Sequence, residues 1–343
     1  MADIPAQSSD IDAVRLVRAG KFRRYHGEGL RQLLDLPTVF KNLRDIGYIV
    51  IGTIQSWWIV RQIRPDIIFT RGGFVSVPVA IGGLLNHVPY ITHDSDSTPS
   101  LANRIIARWA RLHTVALPEE LYPYPRQKTI MVGVPVSDDY RPVTGQLLTQ
   151  YRHDIGLLAT QQLVLITGGG NGSDGLNQAV IANAGYLLER YPDLVLVHIA
   201  GRALAASVKQ SYDKELDDSQ RKRVHVKGFI SDLHRYSAVA DVVIARGGAT
   251  NLAEFAIQAK ACVIIPSPQL IWNVKNTEVL AERHAVIKLD EDQAEQDGRL
   301  AAVIGELLDN AASKVALGQS LAQFGLPDAA ERLAKLLLAE AAK

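Results

Sequence analysis

Short apolar runs rich in β-branched residues recur along the chain, separated by longer segments in which apolar and small residues have helical spacing. The runs predict buried strands and the longer segments predict helices. The predicted strands are 14–17, 66–70, 89–92, 113–117, 129–132, 163–167, 194–200, 224–226, 242–245, 263–265 and 286–289. The predicted helices are 38–63, 78–85, 99–111, 176–191, one that begins near Gly248, 297–309 and 329–342. This alternation predicts an α/β fold with parallel sheets covered on both faces.

The alternating pattern is interrupted at residues 137–159, a polar and irregular stretch with one short helical piece. We place a linker there, between a first domain of residues 1–136 and a second domain of residues 160–326. The last segment, 327–343, is expected to form a helix that packs back towards the first domain. Two α/β domains of this kind face a cleft, and ligands bind at the carboxyl ends of their parallel strands.

Composition narrows the class of protein. The chain has 343 residues, 47% of them apolar and 21% charged, which is enough to bury two full cores. Its net charge of +1 gives no nucleic-acid signature. The single cysteine, Cys262, lies in an apolar run and is expected to be a buried, inert thiol. The first twelve residues are polar and acidic, unlike a signal peptide, so a cytoplasmic location is expected.

The N-terminal segment is basic. Residues 1–64 carry ten Lys and Arg against six Asp and Glu. The apolar stretch 46–60 within it is too short and too interrupted by polar residues to span a bilayer. Its adjacent Trp57 and Trp58, beside Arg61 and Arg64, suit a helix that lies at a membrane interface. The alternative is that the tryptophans belong to the core of an α/β layer and the arginines form a solvated face.

Residues 246–254 follow the apolar run 240–245 and begin with Arg246 and two glycines. A strand, a tight turn of small residues and a helix start expose backbone N–H groups and the positive helix end to an anion. Glu254 lies about one turn into the helix, where a carboxylate can accept hydrogen bonds from two neighbouring hydroxyls, as in a ribose. The segment indicates a nucleotide-sugar or dinucleotide site. The alternative is a well-capped turn with Glu254 simply exposed.

A second glycine-rich segment, 170–175, matches G-x-G-x-x-G after a predicted strand, so a dinucleotide site has to be considered. That fingerprint requires a carboxylate at the tip of the next strand to hold the ribose. Here the next strand is followed by Gly201 and Arg202. Because Arg202 would suit a 2′-phosphate, an NADP-dependent oxidoreductase stays open as an alternative, although no His and Tyr pairing suggests hydride chemistry.

Several segments resemble, in order, motifs of the MurG-like UDP-N-acetylglucosamine transferases of glycosyltransferase family 28. In the second half, the loop GGSQGA…LN, the segment ADVVVxRxGAxTxxE and the turn GFxxDM are matched by residues 165–177, 240–254 and 228–232. In the first half, PDVVxGxGGYVS is matched by residues 65–76, and HEQNxxxGxxN by residues 93–96 with Asn103. Residues 327–331 resemble the start of the family's closing helix, so the resemblance covers essentially the whole chain.

The resemblance implies a GT-B fold, in which an acceptor-binding N-terminal domain and a UDP-sugar-binding C-terminal domain face a cleft. It implies inverting transfer of N-acetylglucosamine from UDP-GlcNAc to a lipid-linked MurNAc-peptide in peptidoglycan precursor synthesis. The acceptor would be a polyprenyl-diphosphate conjugate at the inner face of the cytoplasmic membrane, where the protein would be peripheral. No metal, no cofactor and no nucleic-acid partner are expected.

The resemblance also assigns residues to the two substrates. The glycine loop and the helix start would supply N–H donors to the diphosphate, Glu254 would hold the ribose, and the backbone at Ile230 would face the uracil. Asn273 and Asn276 would meet the sugar hydroxyls. Arg246 would neutralise phosphate, orient Glu254 or form a structural ion pair. The donor-binding set is Gly168, Gly169, Gly170, Asn171, Gly172, Asn177, Ile230, Arg246, Gly248, Ala249, Thr250, Glu254, Asn273 and Asn276. The acceptor-side set is Gly72, Gly73, Phe74, Ser76, Asp96 and Asn103.

The chain also departs from the family pattern. The family's opening strand and its GGTGGH loop have no counterpart, so the first domain is expected to be incomplete at its N-terminus. The family's GNPVR becomes residues 133–137 without the Asn and Arg, and D-x-Q-x-x-N becomes residues 271–276. HEQN becomes residues 93–96, with a carboxylate in place of an amide. His93 and Asp94 are then the candidate catalytic bases. Two alternatives remain: a buried structural role for His93, and a relative that binds a UDP-sugar without turnover.

Overall fold

The chain forms two compact units. The computed structural model describes residues 10–20, 36–296 and 298–343. The first unit contains the residues up to Asp94, then Pro99–Met131 and Leu333–Lys343. The second contains Ser95–Thr98 and Val132–Arg332. The stretch 137–159 therefore lies inside the second unit, and most of the last helix belongs to the first.

The first unit is built on a parallel sheet of four strands in the order β1-β2-β3-β4. The strands are β1 (Ile68–Thr70), β2 (Tyr90–Asp94), β3 (Leu112–Val115) and β4 (Thr129–Met131). The helices are α1 (Leu36–Ile63), α2 (Ser76–Leu85) and α3 (Leu101–Ile106), with 3-10 turns at Ala107–Trp109, Glu119–Leu121 and Arg126–Lys128. Helices α1 and α2 pack so closely that a Cβ on Gly82 would lie 2.8 Å from the backbone of Ser56.

The second unit is built on a parallel sheet of six strands. The strands are β5 (Gln162–Thr167), β6 (Leu194–Ile199), β7 (Val224–Lys227), β8 (Val242–Ala245), β9 (Cys262–Ile264) and β10 (Ile287–Lys288), in the order β10-β9-β8-β5-β6-β7. The helices are α4 (Gly145–Asp154), α5 (Asp174–Arg190), α6 (Ala205–Glu215), α7 (Asp218–Arg221), α8 (Leu233–Val239), α9 (Ala249–Ile257), α10 (Ile271–Ala281), α11 (Glu291–Ala294), α12 (Arg299–Asp309) and α13 (Ala311–Ala322). The last helix, α14 (Ala329–Ala341), begins in this unit and continues in the first.

Both faces of the second sheet are covered. On β5, Val164 and Ile166 pack into one core cluster, while Leu163 and Leu165 pack into the other. All four side chains are fully buried, as expected for a central strand between two helical layers. Cys262 is also fully buried, and burial raises the pKa of its thiol, which confirms the inert cysteine that was predicted.

The predicted strands and helices are confirmed with one exception. The strand expected at 14–17 is wrong, because residues 13–20 form neither helix nor strand. This segment contacts α1 instead: the N–H of Arg18 donates to Gln55 Oε1 at 2.9 Å. A Cβ on Gly52 would lie 1.8 Å from the carbonyl oxygen of Arg18, so glycine there permits the close approach.

Helix α1 carries an exposed apolar stripe. Its members recur every four residues and are therefore neighbours on one helix face. They are Ile46, Val50, Ile54 and Trp58, each between 45% and 57% exposed. Trp57 is partly buried, and the guanidinium of Arg61 lies 5.8 Å from its ring centroid. In the described part of the chain, no helix is both long and apolar enough to cross a bilayer.

Candidate functional site

A glycine-rich loop, residues 168–172, connects β5 to α5. Gly169 and Gly172 have φ values of +81° and +74°, a backbone conformation that favours glycine. The two sides of the loop differ in the space around them. A Cβ on Gly172 would lie 2.0 Å from the carbonyl oxygen of Ala200, whereas a Cβ on Gly169 or Gly170 would meet nothing within 4 Å. The loop is therefore packed on one side against the end of β6 and open on the other.

The open side of the loop presents backbone donors. The N–H of Gly169 donates to Thr167 Oγ1 at 3.2 Å, and the N–H of Gly172 donates to the Gly169 carbonyl at 3.0 Å. The N–H groups of Gly170 and Asn171 have no acceptor among the residues that the structure describes. Uncommitted N–H groups on a small, open loop are suited to bind an oxyanion.

A helix N-terminus forms the second set of donors. Helix α9 begins at Ala249, and its N-cap residue Gly248 makes no side-chain cap. A Cβ on Gly248 would meet nothing within 4 Å, whereas one on Gly247 would lie 2.3 Å from Thr277 Oγ1. The first-turn N–H groups, which include those of Thr250 and Asn251, and the positive end of the helix dipole are thus left for a ligand.

These two sets of donors start at the same edge of the sheet. Strands β5 and β8 are neighbours, and their last residues, Thr167 and Ala245, are paired in register. The glycine loop leaves the sheet directly after Thr167, and the turn that leads into α9 leaves it directly after Ala245. The sheet therefore brings together two anion-binding elements that are far apart in sequence, as a diphosphate requires.

Glu254 lies on α9, one turn beyond these donors, and is partly buried. Its carboxylate hydrogen-bonds with the hydroxyl of Tyr140, a residue that the sequence analysis did not single out. Burial raises the pKa of Glu254 to about 7, and the hydrogen bond from Tyr140 acts in the opposite direction. The alternative was a well-capped turn with an exposed Glu254. It is wrong, because Gly248 makes no side-chain cap and Glu254 is partly buried.

The Arg246 guanidinium contacts three other groups of the protein. Its Nη1 donates to the Ile265 carbonyl at 2.8 Å, its Nε donates to Ser173 Oγ at 2.7 Å, and its Nη2 pairs with Glu291. Glu291 also lies against Gly175, where a Cβ would be 2.4 Å from the carboxylate. The structural ion pair that the sequence left open is therefore present, whereas the predicted orientation of Glu254 by Arg246 is replaced by the Tyr140 contact.

Asn177 lies beneath the glycine loop. Its side chain is fully buried, donates to the Ala200 carbonyl at 3.2 Å and contacts His198 Nε2 at 2.9 Å. This placement differs from the predicted direct contact with the donor, because both ends of the amide are used inside the core. Asn177 instead supports the end of β6, against which Gly172 packs.

Asn273 and Asn276 lie on α10, at 5% and 2% exposure. Both amide hydrogens of Asn276 are donated within the protein, to Asp96 Oδ1 at 2.8 Å and to the Gly247 carbonyl at 3.0 Å. Its Oδ1 accepts from the N–H of Ser97 at 2.8 Å. The contact of these amides with sugar hydroxyls stays a prediction. In the structure, Asn276 fastens the 95–98 segment to the start of α9.

The predicted uracil site adjoins an exposed aromatic ring. Ile230 is partly buried in the loop after β7, and the preceding Phe229 is 49% exposed. The guanidinium of Arg202 lies 4.0 Å from the centroid of the Phe229 ring, a cation–π geometry. The arginine that suggested a 2′-phosphate site is thus positioned on a ring, beside the backbone that was expected to face the base.

In the first unit, the acceptor-side residues surround the turn after β1. Gly72 has a φ of +80°, and a Cβ there would lie 2.4 Å from Ser100 Oγ and 2.9 Å from Asn103 Nδ2. Ser76 is buried and hydrogen-bonds with Thr70. A Cβ on Gly73 would be in open space, and Phe74 is 51% exposed. Gly73 and Phe74 are therefore the accessible members of this group.

The two candidate bases, His93 and Asp94, are buried parts of β2. His93 is fully buried, and burial together with the charge of Arg71 lowers its pKa to about 4. The Thr114 hydroxyl donates to the Thr92 carbonyl, so it accepts from His93 Nδ1 at 3.1 Å. His93 is therefore a neutral Nδ1–H tautomer, and its buried Nε2 has no partner among the described residues. The structural role that was left open for His93 fits these contacts.

Asp94 is 4% exposed, and its carboxylate accepts hydrogen bonds from other residues of the first unit. They come from the N–H of Ser100 at 3.1 Å, from Asn103 Nδ2 at 2.9 Å and from the hydroxyl of Tyr124 at 2.7 Å. Asn103 also donates to the His93 carbonyl. Asp94 thus anchors the start of α3, and the prediction that it is a catalytic base is not supported by this geometry.

The sequence did not indicate which residues contact Glu254 and Arg246 from within the protein. Tyr140, Ser173 and Glu291 contact Glu254 or Arg246. Only Ser173, inside the glycine-rich motif, carried a signal in the sequence. The other two come from distant segments that no motif marks.

The chain matches the family model for the C-terminal domain of glycosyltransferase family 28 over residues 163–333 and the model for the N-terminal domain over residues 21–114. It is 33% identical over 252 residues to the Bacillus cereus UDP-N-acetylglucosamine--N-acetylmuramyl-(pentapeptide) pyrophosphoryl-undecaprenol N-acetylglucosamine transferase 2. That alignment covers 73% of this chain and 64% of the relative, so the chain spans less than two thirds of the relative's length.

Two further proteins extend this similarity. The transferase of the same description from Natranaerobius thermophilus is 25% identical over 312 residues, which cover 90% of this chain and 83% of the relative. The crystal structure of MurG from Acinetobacter baumannii superposes with a TM-score of 0.67 at 20% identity, covering 86% of this chain and 79% of that one. This likeness confirms the predicted fold, GT-B.

Proposed function

Because this chain belongs to glycosyltransferase family 28, we propose that it transfers N-acetylglucosamine from UDP-GlcNAc to a lipid-linked MurNAc-peptide. The relatives from B. cereus and N. thermophilus carry the name of this reaction. The observation that supports the proposal most is the shared sheet edge, where the glycine loop and the α9 N-terminus start from paired residues. Two sets of backbone donors side by side match the two phosphates of a UDP-sugar.

The proposed chemistry is an inverting displacement. The acceptor hydroxyl attacks the anomeric carbon while UDP leaves from the opposite face. Negative charge develops on the leaving diphosphate, where fixed N–H donors from Gly170, Asn171 and the first turn of α9 stabilise it. Removing one such donor from an anion site costs about 3–4 kcal/mol of barrier in well-studied enzymes. Glu254 accepts from the ribose hydroxyls, and the loop at Ile230 receives the uracil, with Phe229 beside it.

The site favours a UDP-sugar over a dinucleotide as its ligand. Arg202 lies over the ring of Phe229, so its geometry does not favour a 2′-phosphate site. Nothing in the family comparisons supports an oxidoreductase. Only an activity measurement distinguishes a transferase from a relative that binds a UDP-sugar without turnover, because both need the same donor site.

We further propose that the protein works at the inner face of the cytoplasmic membrane. The α1 stripe exposes Ile46, Val50, Ile54 and Trp58 to solvent, which is costly unless a partner covers them. Arg44 and Arg61 lie on the same helix and are suited to anionic headgroups. The alternative of a core tryptophan does not hold for Trp58, which is 54% exposed. Part of the basic segment, residues 21–35, lies outside the described residues.

Two measurements test the proposal. Calorimetric titration with UDP, UDP-GlcNAc and NADPH identifies the ligand class, and we expect binding of the first two. Transfer of labelled N-acetylglucosamine to a lipid-linked MurNAc-peptide acceptor tests the reaction. Binding without transfer would leave a UDP-sugar-binding relative, and binding of NADPH alone would reject the donor site altogether.

A further inference from the structure

The 95–98 segment follows β2 in sequence but belongs to the second unit. It is held there through Asn276, which accepts from the N–H of Ser97 and donates to Asp96 Oδ1. The same nitrogen of Asn276 donates to the carbonyl of Gly247, the residue before the α9 N-cap. The Asp96 carboxylate oxygen and the Gly247 carbonyl oxygen therefore cannot be farther apart than the sum of these contacts, 2.8 Å and 3.0 Å.

Asp96 differs from its neighbours in accessibility. His93 and Asp94 are 0% and 4% exposed and are committed to Thr114 and to the start of α3. Asp96 is only partly buried. A group that moves a proton has to come within hydrogen-bond distance of the reacting atom. Of the three titratable residues of this motif, Asp96 is the most exposed and is therefore the best candidate for that contact.

We propose that Asp96 is the general base that deprotonates the acceptor hydroxyl. The proposal rests on the transferase function proposed above. The proton passes from the attacking hydroxyl to the Asp96 carboxylate as the new bond between oxygen and the anomeric carbon forms. The bond from that carbon to the UDP oxygen breaks, and UDP leaves with the electron pair. Solvent then takes the proton from Asp96, so atoms and charge balance without a further reactant.

The position of Asp96 suits this role. An attacking hydroxyl has to approach the anomeric carbon, which is one bond from the diphosphate, and the α9 N-terminus that would hold the diphosphate adjoins Gly247. Burial raises the pKa of Asp96, with the hydrogen bond from Asn276 acting against it. A bound diphosphate adds negative charge nearby and raises the pKa further towards neutrality, where a base is most effective.

The cations next to Gly247 and Asn276 in sequence have other partners. Arg246 pairs with Glu291, and Lys275 pairs with Glu278 at 2.9 Å. Asp94, two residues before Asp96, is bound by Ser100, Asn103 and Tyr124 in the first unit. Burial of the carboxylate and the hydrogen bond from Asn276 both act on the proton affinity of Asp96, and a bound diphosphate adds negative charge beside it.

Asp96→Asn tests the proposal cleanly. The amide oxygen still accepts from Asn276, and an amide stands at this position in the family motif, so the variant should fold. It cannot take a proton. We expect kcat to fall roughly 100- to 10,000-fold, while the KM for UDP-GlcNAc and the Kd for UDP change by less than about threefold. In the wild type, kcat should fall at low pH as the base becomes protonated, and Asp96→Glu should shift that limb of the profile.

Ser97→Ala serves as the matched control, because the buried Ser97 hydroxyl has no partner among the described residues. Its kcat should equal that of the wild type. If Asp96→Asn retains kcat within about threefold in an assay where the wild type is active, Asp96 is not the base. An acidic limb that is unchanged in Asp96→Glu would also overturn the proposal. If the wild type binds UDP but transfers no sugar, the proposed function fails and the role of Asp96 falls with it.

Discussion

The Glu254 carboxylate should strengthen nucleotide binding but, above neutral pH, lower the stability of the folded protein. Its carboxylate is partly buried on α9, with the Tyr140 hydroxyl as its hydrogen-bond partner. Such a group is costly to ionise when no ligand is present and useful only when ribose hydroxyls reach it. Glu254→Gln keeps the shape and one acceptor oxygen and removes the charge. We therefore expect this variant to bind UDP more weakly and, above neutral pH, to be more stable than the wild type.

The magnitude follows from the pKa. Burial raises the pKa of Glu254 from 4.5 to about 7 in the folded protein. Because the folded value lies above the unfolded one, the stabilising contribution of the group is complete below pH 4.5 and is lost as pH rises through about 7. A shift of this size corresponds to roughly 3 kcal/mol for a fully desolvated group, and solvent access reduces it to about 1–2 kcal/mol.

Urea unfolding of both proteins at pH 5 and pH 8 measures this effect. The free energy of unfolding of Glu254→Gln, relative to the wild type, should rise by about 1–2 kcal/mol between the two pH values. Calorimetry at pH 8 should show UDP binding weakened roughly 10- to 100-fold, since a hydrogen bond to a charged group is worth about 1.5–3 kcal/mol. Glu295→Gln is the control, because Glu295 is exposed and should change neither quantity.

Two results would refute this reasoning separately. An equal stability difference at pH 5 and pH 8 would mean that Glu254 ionises normally in the folded protein. Unchanged UDP affinity in a folded Glu254→Gln would mean that the carboxylate does not hold the ribose. The first result concerns the burial of Glu254 and the second its function.

Three further outcomes are expected. Gly170→Ala should weaken UDP binding with little change in thermal stability, because its Cβ enters open space. Gly172→Ala should lower the Tm, because its Cβ would meet the Ala200 carbonyl. Equal melting temperatures of the two variants would contradict this contrast. The double variant Ile54→Glu/Trp58→Glu should sediment less with anionic vesicles than the wild type does. Val315→Glu, at a similarly exposed position on α13, should sediment as the wild type does. Equal sedimentation of the double variant and the wild type would reject the α1 stripe as the membrane surface. EDTA should leave the rate of sugar transfer unchanged, since backbone donors stabilise the leaving diphosphate; loss of activity that Mg²⁺ restores would contradict this.

The sequence predicts the framework well because strand signals are local. Residues 163–166 form an uninterrupted apolar run, and β5 is found there with every side chain buried except that of Gln162. Helices with many polar residues are harder to predict: α6 carries mostly polar residues and was not expected. The apolar residues at 14–17 do not form a strand: Leu16 is 77% exposed, and no strand pairs with this segment among the described residues.

The contacts of the predicted site residues were not predictable from the sequence. Asn177, Asn276 and Asp94 all have side chains that suit a ligand, and all three are committed to groups inside the protein. A sequence motif identifies which residue types recur at a site. It does not reveal whether an amide faces the ligand or fixes the loop that does, because this depends on partners from distant segments such as Ser97 and Tyr124.

The order of strands in the second sheet has a consequence for how such a site can diverge. After β5 the chain moves outward to β6 and β7 on one side, and then returns to β8 on the other. Helix α5 accordingly packs on one face of the sheet and α9 on the opposite face. A crevice opens where the two paths separate, whatever side chains line it. The proposed phosphate position would therefore follow from topology, and the loops that carry Phe229 and Asp96 and the helix that carries Asn273 could change the base, sugar or acceptor without moving it.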